Sequence, residues 1–426
     1  MKVAILTMFN GLSSVYSLVN VVREQIEMLL HDGISVKMLV SEHCPDSERT
    51  GVFADTRIEW IKIVNSKDGQ FFKWHTYTKS ADKIHDTFFE EAALIAADFA
   101  ENLQDVNVCI LHDILYQGVH LLHNVAIRDA QKSLPHVHFL AFTHSAPATH
   151  LDADYPVSCM FSPMPNTTFI YPTQCGLAAL AKQYHTDVTN CACVSNSISP
   201  AIGLGEEAVH ILRQSGMMQR EILIVYPARL TLAKRFHIIA EFAGILKQIC
   251  HKSVGVIFCD FSSADIDPAL YRFLVKEIAV KNGLQQNDIV FTSECGFPNG
   301  ILRETVFDLF SLSNLFLCPS YSESFGLTVI EAASRGNYIV LNEAVPALAE
   351  IGEKIDAYFM RWSARNFDCD TQEVYHPSER MYYLENAQKI VENMENNPVL
   401  KAKTYARTRY SSAWVYENQL KPLLEI

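Results

Sequence analysis

Apolar strand-like runs alternate with amphipathic helical stretches along nearly the whole 426-residue chain. That alternation constrains the fold most, because continuous Val/Ile/Leu-rich runs between helices belong to parallel strands covered on both faces. A first series opens with strand Val3–Phe9, a turn at Asn10–Ser14 and a helix from Val15 to Leu30 that stops before Gly33. Strands at 35–40, 108–111, 137–143 and 168–171 follow. Around Asn196–Pro200, with Gly203 and Gly205 next, the pattern loosens into a linker. A second series then runs through strand Ile222–Tyr226, helix Lys234–Lys247 and strands at 254–258, 289–291, 315–317 and 339–341. The expectation is an α/β protein of two doubly wound domains, 1–200 and 201–410, facing a cleft, with a terminal helix in 411–426.

Composition narrows the function. Hydrophobic residues make up 49% of the chain and charged residues 19%, which excludes a disordered or coiled-coil protein. Residues 1–200 carry 13 basic against 21 acidic side chains, a balance of −8, and the rest 22 against 27, or −5. Neither half has the basic footprint of a nucleic-acid or anionic-lipid binder. No apolar run approaches the ~18 residues of a membrane helix. The apolar start lacks a small-residue cleavage site, so a cytoplasmic location is expected. Eleven cysteines form no CxxC pair; Cys191 and Cys193 are the closest two, and reduced thiols are expected.

The most informative stretch runs from Cys318 to Ala332 as strand, tight loop and helix, and the helix stops at Gly336. Gly326 lets the backbone approach a ligand closely, and the amides of Gly326, Leu327 and Thr328 make an anion site at the helix start. Glu331 lies one turn in, placed to accept ribose hydroxyls, and Glu323 at the loop's lip is placed to hold sugar hydroxyls. Phosphate, ribose and sugar contacts together describe a sugar nucleotide. A second element, Arg229-Leu230-Thr231-Leu232-Ala233-Lys234, follows a strand and sets a cation on each side of one turn. Cations at a helix start oppose its dipole, so an anionic ligand is expected there, such as a diphosphate leaving group.

The two elements resemble the signatures of retaining glycosyltransferases of the GT-B architecture, family 4. These are an Arg-Leu-x-x-x-Lys segment and a Glu-x7-Glu segment inside Pro-Ser-x-x-Glu-x-Phe-Gly, in order and at the right separation over residues 222–352. Together they are specific; singly each is weak. The resemblance implies two Rossmann-like domains, the first on the acceptor side and the second binding the donor. It implies that Arg229 and Lys234 hold the diphosphate, Glu331 the ribose, and Glu323 with the Phe325–Thr328 backbone the sugar and phosphates. In the first half the loop Phe9–Ser14 has one glycine where the family pairs two, leaving Gly11 as the donor-side candidate. Leu140–Ser145 resembles the family's strand ending in a histidine, which makes His144 the residue that contacts the transferred sugar. Asn196 matches a structural asparagine that closes the first domain, and the terminal helix matches one that crosses back onto that domain.

The mechanism so implied is front-face attack with retention: the β-phosphate accepts the acceptor's proton and no metal or other cofactor takes part. The expected donor is a UDP- or GDP-linked hexose, with base selectivity near Phe291–Asn299, and the acceptor a glycan or small-molecule hydroxyl. The alternatives are a nucleotide-sugar epimerase of the same architecture and a non-catalytic nucleotide-binding module. Asp152-Ala-Asp154, Asp265-Ile-Asp267 and Asp368-Cys-Asp370 read as loop carboxylates rather than metal ligands, and His136 and His138 alternate to opposite faces of a strand. His112-Asp113 reads as an ordinary strand end. In the insert 63–88, Phe71, Phe72, Trp74 and Tyr77 read as a small satellite core.

Overall fold

The computed structural model describes residues 1–72, 84–148, 153–263, 266–362, 364–366, 369–372 and 379–425. The chain divides into a first unit, Met1–Ile198 with Ser412–Ile426, and a second unit, Ser199–Ser411. The chain therefore passes between the units twice.

The first unit is built on seven strands: β1 (Lys2–Leu6), β2 (Ser35–Ser41), β3 (Ile58–Ile63), β4 (Val108–His112), β5 (His138–Phe142), β6 (Thr167–Tyr171) and β7 (Cys191–Cys193). All pair in parallel in the order β3-β2-β1-β4-β5-β6-β7. The sequence pattern does not reveal β3 and β7: the first alternates half-exposed residues, and the second is three residues long and half-buried. Along β1, Val3 and Ile5 enter one apolar cluster while Ala4 and Leu6 enter another, so the two-residue period of the strand feeds both faces of the sheet. Helix α1 (Ser17–His31) covers one face through Val19, Val22, Ile26 and Leu29; α2 (Phe88–Asn102) and α3 (Leu121–Gln131) cover the other.

The second unit repeats the plan with β8 (Ile222–Arg229), β9 (Val254–Phe261), β10 (Ile289–Phe291), β11 (Leu315–Cys318), β12 (Tyr338–Asn342) and β13 (Tyr358–Met360), ordered β10-β9-β8-β11-β12-β13. In both units the first strand lies beside the fourth, and the order reverses at that pair. Crevices at such reversals, past the carboxyl ends of the strands, are where doubly wound sheets bind ligands. Strand β8 runs three residues beyond the expected end and through Pro227. Its register with β9 continues to Arg229↔Phe261, whereas that with β11 is at Ile224↔Leu315, so Pro227 extends a one-sided stretch where its missing N–H costs no ladder bond. Three helices of this unit flank the reversal: α4 (Phe236–Cys250), α5 (Arg303–Leu312) and α6 (Leu327–Ser334).

The expected single terminal helix is three pieces, Ser412–Val415, a π-helical turn Tyr416–Leu420, and Lys421–Leu424. Pro422 cannot donate to the carbonyl four residues back, which accounts for the widened turn. The segment packs Val415, Tyr416, Leu420 and Leu424 into the first unit's core beside α1. The Tyr416 hydroxyl donates to Asp32 at 2.7 Å, and the Ser195 amide donates to Gln419 at 2.7 Å. Asn196, expected to be structural, is exposed and makes no side-chain hydrogen bond among the described residues; its neighbour Ser195 makes the tie. No described helix is long and apolar enough to cross a membrane.

Candidate functional site

In the second unit the two motif segments leave adjacent strands at the point of reversal. Arg229 is the last residue of β8 and is exposed, with no ion pair among the described residues. The chain then makes a turn over Leu232–Lys234, and α4 begins at Phe236 rather than at Lys234. Arg235, between them, takes a left-handed conformation at φ +52°. The second segment leaves β11 at Cys318.

The two loops are laced together. The Tyr321 amide donates to the Ala233 carbonyl at 3.0 Å, and the buried Tyr226 hydroxyl donates to the Lys234 carbonyl at 2.9 Å with Ser320 Oγ at 3.2 Å. Arg235 is buried, lies 3.5 Å from the centre of the Tyr321 ring and donates to the Pro319 carbonyl at 3.1 Å. Asn342, from the end of β12, donates to the Ser320 carbonyl at 3.0 Å. Neither Arg235 nor Asn342 was legible as a site residue. A non-glycine left-handed residue leaves no signature in sequence, and Asn342 lies outside both motifs.

This lacing brings Lys234 and Glu323 into an ion pair, the expected cation and sugar-side carboxylate. Gly326 caps α6 at φ +87°, and a Cβ there would stand 3.0 Å from Leu348 Cδ2, so both conformation and space call for glycine. The amides of Leu327 and Thr328 that follow have no partner among the described residues, whereas that of Val329 donates to the Gly326 carbonyl at 3.0 Å. Phe325 and Leu327 are exposed beside them. Glu331 is buried one turn in, and its Oε1 accepts from Arg303 of α5 at 2.7 Å through both Nε and Nη2. Its Oε2 has no partner among the described residues. Arg303 was not foreseen, since the 28 residues separating the pair hide it. A cavity of about 560 Å³ elsewhere in this unit, lined by Glu221, Lys252, Lys401 and Thr404, includes none of the motif residues.

In the first unit, a cavity of about 420 Å³ lies past β1 and β4 and is lined by Asn10, Gly11, Tyr16, Asp113, Gln117 and His120 among others. Met8 and Asp113, which also line it, both take left-handed backbone conformations, at φ +53° and +59°. At Gly11 a Cβ would stand 3.1 Å from the Glu48 carboxylate, which accepts the Leu12 amide. The space beside Gly11, the donor-side candidate, is thus bounded by the chain's own carboxylate.

His144 is half-buried at the end of β5, its amide fixed by Asp113 at 2.9 Å. Its Nε2 is 2.9 Å from Nδ1 of His112, whose Nε2 is 2.9 Å from Gln25 Oε1. Burial holds the pKa of His112 well below the usual imidazole range, and burial also lowers that of His144. His112-Asp113, expected to be an unremarkable strand end, is therefore bonded directly to the candidate His144. The same desolvation lowers His123 strongly and brings His120 to about 4.

Asp267 caps the helix Pro268–Lys281 by accepting the Ala269 and Leu270 amides, a structural use of that carboxylate. Asp152, Asp265, Asp368, Trp74 and Tyr77 lie outside the described residues, as does the side chain of Asp370. No group of three His, Cys, Asp or Glu among the described residues is placed to hold a metal ion. The cysteines described are free, and Cys191 and Cys193 lie on β7.

Residues 210–357 match the model of the family described as glycosyl transferases group 1. The matched stretch lies within the second unit. It spans both motif loops, Lys234, Glu323, Gly326 and Glu331, together with Arg303. No curated protein matches the chain. Among solved structures, a glycosyltransferase from Rickettsia africae is 15% identical, covers 100% of this chain and 98% of its own, and has a TM-score of 0.36. Anabaena HepE in complex with UDP is 12% identical, covers 100% of both chains, and scores 0.37. Sucrose-phosphate synthase from Thermosynechococcus elongatus is 14% identical, covers 100% and 98%, and scores 0.38. At scores this low, none of these likenesses bears on function.

Proposed function

We propose that the protein is a glycosyltransferase that moves a hexose from a UDP- or GDP-linked donor to a hydroxyl of a glycan or small molecule, with retention and without a metal. The observation that carries this reading is the Lys234–Glu323 pair set beside the Gly326-capped start of α6, inside the family-matched segment. A nucleoside diphosphate at that helix start meets free amides and a positive dipole end. Lys234 and Arg229 neutralise the charge that grows on the β-phosphate as the sugar–phosphate bond breaks. Glu331 Oε2 accepts a ribose hydroxyl while Arg303 holds Oε1. Glu323, the partner of Lys234, turns to the sugar hydroxyls when the diphosphate takes its cation.

The first unit supplies the acceptor side, with His144 as its candidate for contact with the sugar. The acceptor hydroxyl attacks from the leaving-group face and its proton passes to the departing phosphate, so no separate base is required.

The test is the melting temperature with UDP, GDP, ADP and dTDP, each with and without chelator, followed by turnover of the matching sugar nucleotide. A ligand at 100 times its Kd stabilises by about 2.7 kcal/mol, so the base that binds announces itself. Transfer or hydrolysis with release of the nucleoside diphosphate supports the reading. A changed sugar still attached to the nucleotide would replace it with epimerisation, and binding without turnover would leave a nucleotide-binding module.

A further inference from the structure

We propose that Gln25 and His112 are positioning residues that hold His144 in a single tautomer, protonated on Nε2, so that its Nδ1 faces substrate as a hydrogen-bond acceptor. This deepens the transferase reading, on which the role of His144 toward the sugar rests.

Gln25 forms the inner end of the hydrogen-bonded series. It is buried on α1 and points its carbonyl oxygen, which can only accept, at His112 Nε2, 2.9 Å away. His112 must therefore carry its proton on Nε2. It is 1% exposed at the end of β4, and the cost of charging an imidazole there keeps it neutral. A neutral imidazole with Nε2–H has an unprotonated Nδ1, so His112 Nδ1 accepts. Its partner at 2.9 Å is His144 Nε2, which must then be the donor.

The rings lie nearly parallel, 20° apart, with centres 5.2 Å from each other, and Phe142 stacks on His144 from two positions earlier on the same strand end. The ring of His144 is thus fixed in orientation as well as protonation, and its backbone is pinned by Asp113. What remains is Nδ1, with a lone pair and no proton. Such an atom accepts from a hydroxyl and repels a phosphate or carboxylate oxygen. The arrangement lets the first unit select a sugar or acceptor hydroxyl at this point rather than an anion. Three elements distant in sequence, α1, β4 and the end of β5, are required to make it.

The experiment is ring-nitrogen NMR of the full chain labelled with 15N-histidine, with the His144 signals assigned by their loss in His144→Gln. The expected spectrum has a protonated Nε2 and an unprotonated Nδ1. A proton on Nδ1, as a reversed Gln25 amide would dictate, or on both nitrogens, would overturn the proposal without any variant. In Gln25→Leu the signals should move toward a mixture of tautomers, and kcat/KM for transfer should fall about five- to tenfold, the worth of one hydrogen bond. In Gln25→Glu, which still only accepts, the single tautomer and part of the lost kcat/KM should return. A Gln25→Leu protein that loses activity with the tautomer unchanged would make Gln25 a packing residue and end the proposal. If that variant does not fold, the unaltered protein and Gln25→Glu decide. Failure of the unaltered protein to turn over any sugar nucleotide would strike the transferase reading alone, because the spectrum is read without substrate.

Discussion

The two units share one strand order and use it for opposite chemistry. At the reversal point of the second unit stand formal charges: Arg229, the Lys234–Glu323 pair and Glu331 bound to Arg303. At the same point of the first unit stand an amide and two imidazoles whose burial keeps them uncharged, with the Asp113 and Glu48 carboxylates each turned to a backbone amide. The difference teaches that a scaffold places a site while the solvation of its side chains decides what it reads. Cations and free amides suit a diphosphate; uncharged acceptors suit hydroxyls.

The comparison can be broken first at its charged end. Lys234→Ala should lower kcat about a hundredfold, the usual scale for one group that stabilises developing charge, with a smaller change in donor KM. A change confined to KM in steady-state kinetics would remove its leaving-group role. Glu331→Ala should weaken nucleotide binding about tenfold by calorimetry, with circular dichroism unchanged; unaltered affinity would break the ribose assignment.

At the neutral end the sharper probe is pH. The pKa values of His112, His120, His123 and His144 are all depressed by burial, His120 to about 4. The unfolded chain binds more protons than the folded one below the usual imidazole pKa, so stability falls as pH drops from about 6.5 toward 4. His120 alone, with its pKa at about 4, accounts for on the order of a few kcal/mol of that fall. Amide exchange followed by mass spectrometry should therefore show the first unit loosening in acid before the second. Equal loosening would mean that other groups dominate acid stability. Gly326→Ala should cost about 1 kcal/mol and lower the melting temperature by a few degrees, with weaker nucleotide binding. The smallest expected effect is none: chelator should leave turnover unchanged, and a loss restored by manganese would revive a metal-bound donor.

Legibility followed the same division. In the second unit five of the six strands were readable from apolar runs and the two motif loops from their residues, because each loop carries them consecutively between strand and helix. What escaped there, Arg235, Arg303 and Asn342, acts through burial or through contacts between chain segments that spacing does not encode. In the first unit five of the seven strands were readable, and of the site only the candidates His144 and Gly11. Gln25, His112 and His144 come from three elements, and Gln25 and His112 look ordinary until the fold sets α1, β4 and the end of β5 together. Helix and strand ends moved by a few residues where local chemistry overrode pattern, as at Pro227 and Pro422.

The double passage between units has a consequence for how the molecule is made. The first unit's core is completed by Val415, Tyr416, Leu420 and Leu424, which leave the ribosome after all of the second unit. At the roughly 5–20 residues per second of translation, the amino-terminal half must wait on the order of ten seconds or more with the face beside α1 uncovered. The protein's birth order is therefore inverted: the unit whose chain begins first is the last to be finished.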